Sequence, residues 1–151
     1  MLRLWLGPRP AARLAVLAGL VGFWHDAAAQ GASRGPGGPD ESPTAITAAM
    51  IALGDSIFHG KAGGGACFMC HGADAKGTPG IAPDLTDGKW LHGDGSYAAI
   101  LRTVENGVPD PKENPDPMPP MGGARLTPAQ VRAVAAYVYA LSHPEVRGRP
   151  Q

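Results

Sequence analysis

Both cysteines of the 151-residue chain, Cys67 and Cys70, stand three apart, and His71 follows the second directly. This Cys-x-x-Cys-His run constrains the fold more than any other feature. Two thiols about one helical turn apart can each form a thioether to the same edge of one flat macrocycle, with the next imidazole beneath its centre; the run is the attachment signature of a c-type haem. Three other readings compete with it. A thiol redox pair of the thioredoxin type sits at a helix N-terminus after a strand, whereas glycine-rich residues 60–65 precede Cys67 here. A structural zinc site needs four ligands, and the chain has no further cysteine to complete one. A disulfide between residues so close closes a small loop and constrains the unfolded chain little.

The N-terminus reads as an export signal. Arg3, Arg9 and Arg13 form a basic region, 14–24 an apolar stretch, and Ala27-Ala28-Ala29 a small-residue cleavage site. A signal peptide over 1–29 and a mature start at Gln30 are therefore expected, and the mature protein is placed in the periplasm. The alternative is a membrane anchor, but a span needs about 20 apolar residues. Without 1–29 the chain keeps ten basic and twelve acidic residues, a net charge of minus two. That balance gives no support to nucleic-acid binding, which shows a basic patch or stripe. Residues 30–43, rich in Gly, Pro, Ser and Asp, are expected to be a disordered linker. The folded domain is expected over 44–144, with a flexible tail over 145–151.

Within that domain the apolar residues keep helical intervals. Ile46, Met50, Ile51, Ile57 and Phe58 predict a first helix within 44–61. Ile100, Leu101 and Val104 predict a second over 97–106, with Gly107 in the helix-ending position. Thr127-Pro128-Ala129-Gln130 combines an N-cap, a first-turn proline and a capping-box glutamine. The third helix then carries Val131, Val134, Ala135, Val138 and Leu141 until Pro144. No stretch reads as a strand, so the expected class is all-α, three main helices joined by long loops. So small a helical core needs a staple. A buried haem would be one.

These residues together resemble a class I c-type cytochrome, and the resemblance covers 51–142. It implies the cytochrome c fold wrapped around one covalently attached haem c, and it accords with export, since haem is attached to such chains outside the bacterial cytoplasm. Gly54 and Phe58 match the family's first-helix glycine and aromatic, which pack across an aromatic of the last helix, here Tyr137. Ala82-Pro83-Asp84-Leu85 is similar to the family's Gly-Pro-Asn-Leu segment. The match implies that the Pro83 carbonyl accepts a hydrogen bond from His71 and that Leu85 packs on the haem face.

Met118-Pro119-Pro120-Met121-Gly122-Gly123 resembles the family's segment bearing the distal ligand. This makes His71 and Met118 the metal ligands, with Met121 in an aromatic slot as the rival. Met69, between the anchored cysteines, lies on the proximal side. The segment around Trp90 resembles haem subunits of bacterial oxidases and dehydrogenases, where the indole lies near a propionate; a plain core tryptophan is the alternative. Arg102 and Arg125 are either propionate partners or solvated. His59, His92 and His143 are expected to be surface or hydrogen-bonding residues rather than distal ligands. The proline-rich run between Gly107 and Met118 is read as a stiff connector, with a docking loop as the alternative.

Cys67, Cys70, His71, Pro83, Leu85, Trp90 and Met118 thus form the expected cofactor site. An iron held by His and Met has no vacant position, and no nucleophile or general base stands beside it. The resemblance therefore implies a periplasmic one-electron carrier rather than an enzyme. Its partners would be periplasmic or membrane oxidoreductases, with no nucleic acid and no small-molecule substrate, and it would be a monomer or a subunit of a complex. The main alternative is a dedicated haem c subunit of a dehydrogenase or terminal oxidase. A ligand sensor and a peroxidase are more distant ones.

Overall fold

The computed structural model describes residues 42–113 and 115–147. The expected signal peptide, nearly all of the expected linker and the last four residues lie outside them. Among the described residues there are five helices and no strand, only two isolated bridges.

The first helix, α1 (Ala48–Phe58), starts where Thr47 can cap it: the hydroxyl accepts the Met50 N–H at 3.2 Å. Residues Pro43–Ala45 form a separate 3-10 turn, so α1 is shorter than the 44–61 expectation. One further turn, α2 (Phe68–His71), carries the cysteine motif itself. Ser96 caps α3 (Tyr97–Asn106) through the Ala99 N–H at 3.2 Å, and Gly107 ends it. For α4 (Pro128–Ser142) the capping box forms in both directions: Gln130 N–H to Thr127 at 3.3 Å, and Thr127 N–H to the Gln130 side chain at 2.8 Å.

The principal packing is α1 across α4, with α3 also on α4. Gly54 sits at the crossing, where a Cβ would fall on the Ala133 carbonyl and within 2.7 Å of the Tyr137 Cβ. Only a residue without a side chain lets the two backbones come this close. One turn on, the Phe58 ring packs against Tyr137, centroids 5.3 Å apart. The crossing implied by Gly54, Phe58 and Tyr137 is therefore present. Tyr97, fully buried, adds a second clamp by donating its hydroxyl to the Arg132 carbonyl at 3.2 Å.

The C-terminal end differs from the expected flexible tail starting at 145. Pro144–Arg147 form a short helix, α5, and Val146 is buried at 3% exposure. Pro144 ends α4 as expected, because it cannot continue the helix, but it also opens the next turn. A single turn offers no periodicity to read.

Gly54→Ala is expected to lower stability by about 1–3 kcal/mol through overpacking at the crossing. Denaturant unfolding of the haem-loaded protein checks this; an unchanged midpoint would mean that the helices cross elsewhere.

Candidate functional site

A largely apolar cleft opens between α2, the loop that follows it, α3, the 108–126 segment and α4. Cys67, Cys70 and His71 all line it. Their shared position follows from α2: the His71 N–H donates to the Cys67 carbonyl at 3.0 Å, so residues three and four apart lie on one face. Cys67 is half-buried, and burial pushes its thiol above the ordinary value. Cys70 is exposed.

His71 is oriented by the chain beyond α2. Its Nδ1–H donates to the Pro83 carbonyl at 3.2 Å, the contact implied by the family resemblance. That bond selects the tautomer in which Nε2 keeps its lone pair. Burial pushes His71 below its ordinary value, with the Pro83 bond opposing. A neutral imidazole with a free Nε2 is the form that ligates a metal.

Several bonds hold Pro83 in place. Thr78 and Ala82 form an isolated bridge, and the Leu85 N–H donates to the Ala75 carbonyl at 2.9 Å. At Gly77, φ is +81°, and a Cβ would lie 2.6 Å from the Pro83 carbonyl carbon. Asp84, where the family pattern has Asn, closes its own turn: its carboxylate accepts the Thr86 N–H and hydroxyl, both at 2.7 Å. The Thr86 side-chain bond is the main reason its carboxyl lies below the ordinary value.

Leu85 and Trp90 also line the cleft. A Cβ on Gly95 would fall on the Trp90 indole, so the ring is wedged against that glycine while packing on the core. Trp90 is at once core and wall.

Met118 reaches the cleft from the far side of the sequence. Its backbone pairs with Val108, at 2.8 Å and 3.0 Å, forming the second isolated bridge. Gly107 makes the pairing possible: φ is +69°, and a Cβ there would fall on the Met118 carbonyl. The end of α3 and the register of Met118 are thus one constraint. Met121 lines the cleft too, but from a tight turn in which it adopts φ 54°, ψ 25°. A left-handed non-glycine residue persists only where its surroundings enforce it. The same turn brings Gly122 against Cys67, with 4.0 Å from a built Cβ to the sulfur.

The cleft includes residues not anticipated as site residues. Lys89 and His92 both line it, and so do Pro111, Asp116 and Pro117 from the proline-rich run. That run is therefore part of the wall as well as a connector. Lys89 carried a readable signal, since it immediately precedes Trp90. Arg102 and Arg125 are exposed and do not line the cleft, and neither do His59 and His143. His143 stacks on Tyr139, ring centroids 3.8 Å apart, and its Nδ1 bonds the Tyr139 carbonyl at 2.9 Å. Among the described residues no three His, Cys, Asp or Glu side chains converge as a metal site.

The donor set fits a flat tetrapyrrole: two thiols and a neutral imidazole on one turn, two thioethers from another segment, and largely apolar side chains between. Fold and site together define a small all-α domain built to hold a covalently tethered haem. The chain belongs to the cytochrome c family, whose model matches residues 51–142. Among curated proteins it is 41% identical over 92 residues to the cbb3-type cytochrome c oxidase subunit CcoP of Rubrivivax gelatinosus, covering 61% of this chain and 26% of that one. It is 38% identical over 106 residues to the subunit FixPc of Rhizobium leguminosarum bv. viciae, covering 68% and 34%. The CcoP subunit of Rhodobacter capsulatus is 44% identical over 80 residues, 50% of this chain and 25% of that one. The chain thus spans a quarter to a third of the length of these relatives. The family match makes this chain a haem c electron-transfer domain.

Gly107→Ala is expected to break the Val108–Met118 pairing, because φ 69°, ψ −167° is a conformation open essentially to glycine alone and costs an alanine about 1–3 kcal/mol before the clash is counted. Amide hydrogen exchange at Val108 and Met118 should quicken by about tenfold or more. Unchanged protection would show that Gly107 does not set the register.

Proposed function

We propose that this chain is an exported, periplasmic one-electron carrier holding a single haem c through Cys67 and Cys70, with His71 and Met118 as axial ligands. The observation that supports it most is the presence on one cleft of a neutral, hydrogen-bonded His71 and a backbone-fixed Met118 from two distant segments. When bound, the haem iron supplies the reversible Fe(III)/Fe(II) couple, and thioether ligation favours its reduced form.

The remaining work falls to this chain's residues. His71 donates to Pro83, which raises the basicity of the imidazole. Met118, its backbone held by Val108 and Gly107, would supply the second ligand from a fixed position. Leu85, Ile100, Val134 and Val138 present apolar surface that keeps water from the metal. Lys89 brings a cationic side chain to the cleft wall beside Trp90, suited to the propionates. With His71 and Met118 both holding the iron, no position would remain for a substrate, so carrying an electron rather than turnover is the assigned role.

A second reading is favoured by the relatives, which are subunits of cbb3-type cytochrome c oxidases. The domain would then serve as a haem c subunit of a membrane oxidase complex. Among the described residues no helix is long and apolar enough to cross a membrane. Affinity capture from periplasm and solubilised membranes separates the readings: a free carrier is recovered alone and exchanges electrons with added oxidase, whereas a subunit copurifies stoichiometrically.

The haem-loaded protein should give a low-spin reduced spectrum and one thioether-linked haem per chain in alkaline pyridine. A high-spin spectrum would contradict the closed site. Met118→Ala should abolish the weak methionine-to-ferric-iron band, and Met121→Ala should keep it; the reverse would reassign the ligand.

A further inference from the structure

His59 ends α1 outside the cleft, and both of its ring nitrogens face backbone carbonyl oxygens. Nδ1 lies 2.9 Å from the Asp55 carbonyl and Nε2 lies 2.9 Å from the Ala73 carbonyl. A neutral imidazole has one N–H and one lone pair, so it can donate to only one of them. The other contact would set a lone pair against a carbonyl oxygen. Only the imidazolium satisfies both, and the Asp55 carboxylate, 3.1 Å from Nδ1, favours that form.

The second acceptor has a consequential position. Ala73 stands two residues beyond His71, in a loop where Gly72, Ala75 and Gly77 all have left-handed backbones, at φ 76°, 60° and 81°. Ala75 is fully buried in that conformation, which an alanine keeps only when its surroundings hold it. The same loop fixes the site: the Gly77 N–H donates to the His71 carbonyl at 2.8 Å, and the Ala75 carbonyl accepts the Leu85 N–H at 2.9 Å.

We propose that His59 is a positioning residue: as an imidazolium it clips the end of α1 to Ala73, holds the 72–77 loop, and so keeps the Pro83 carbonyl aligned on His71. This rests on the haem reading only in treating His71 as a metal ligand. The charged and titratable groups around His59 are Asp55 on α1, Lys61 just beyond it, Tyr137 on α4 and Asp74 beside Ala73. The Tyr137 ring centroid is 6.0 Å away, and the Asp55 carboxylate and Arg147 of α5 both act on its hydroxyl. The Asp74 carboxylate accepts the Lys76 N–H at 3.3 Å.

The balance raises His59 above the ordinary value of 6.5: the Ala73 and Asp55 carbonyl bonds outweigh burial and Lys61. A raised value in the folded state means that the clip contributes fully below the unfolded value and is lost as pH rises through the folded one.

Nitrogen-15 NMR of the reduced, haem-loaded protein tests the clip without any variant. Both His59 nitrogens should be protonated in mildly acidic buffer and titrate with a midpoint above 6.5; a neutral tautomer there, or a midpoint at or below that value, overturns the proposal. His59→Gln, which does not titrate, gives the second arm. Its thermal midpoint should fall below that of the wild type in acid and converge with it in alkali, and exchange of the Gly77 and Leu85 amides should quicken by about tenfold in acid. Equal stability and exchange at every pH overturns the proposal. The haem content measured in alkaline pyridine tests the haem reading separately, so the two can fail independently.

Discussion

The hydrogen bond from His71 Nδ1 to the Pro83 carbonyl, 3.2 Å long, is the contact around which the domain is arranged. It joins a one-turn helix to a loop twelve residues away and decides which imidazole nitrogen is left for a metal. One turn of helix cannot fix such a contact alone. The left-handed 72–77 loop, the glycine at 77 and the Leu85–Ala75 bond hold Pro83 from behind, and His59 ties that loop to α1. The orientation of one ring thus draws on the end of α1, α2 and the entire following loop.

The other wall is built by a different device. Gly107 ends α3 and, by lacking a side chain, lets Met118 pair with Val108 directly beside it. Helix termination and placement of the proposed distal ligand are therefore the same event in the chain. Met121 lies only three residues on, but in a left-handed turn that abuts Cys67. Two methionines in one cleft are distinguished by backbone rather than by side-chain chemistry.

What was legible in the sequence is what has a local cause. The capping box at Thr127 and Gln130, the helix stop at Gly107 and the apolar intervals of α3 and α4 all formed as read. The family pattern added contacts that periodicity cannot reveal, namely Pro83 to His71 and the crossing of Gly54 on α4. The clip at His59 was not legible, because its second acceptor is a backbone carbonyl fourteen residues away, and backbone acceptors leave no mark in the sequence. Nor was α5, a single turn whose one buried residue is Val146. The wall formed by the proline-rich run depends on how loops fold back, which residue types alone do not dictate.

The central claim is that His71 and Met118 close both faces of one metal centre in an electron carrier. Proton NMR of the reduced, haem-loaded protein tests it most directly, because the ring current of a macrocycle displaces the resonances of any side chain held against its face. The account predicts that the Met118 methyl and methylene protons are shifted far upfield while those of Met121 are not. Ordinary shifts for Met118, or the upfield set belonging to Met121, would contradict it.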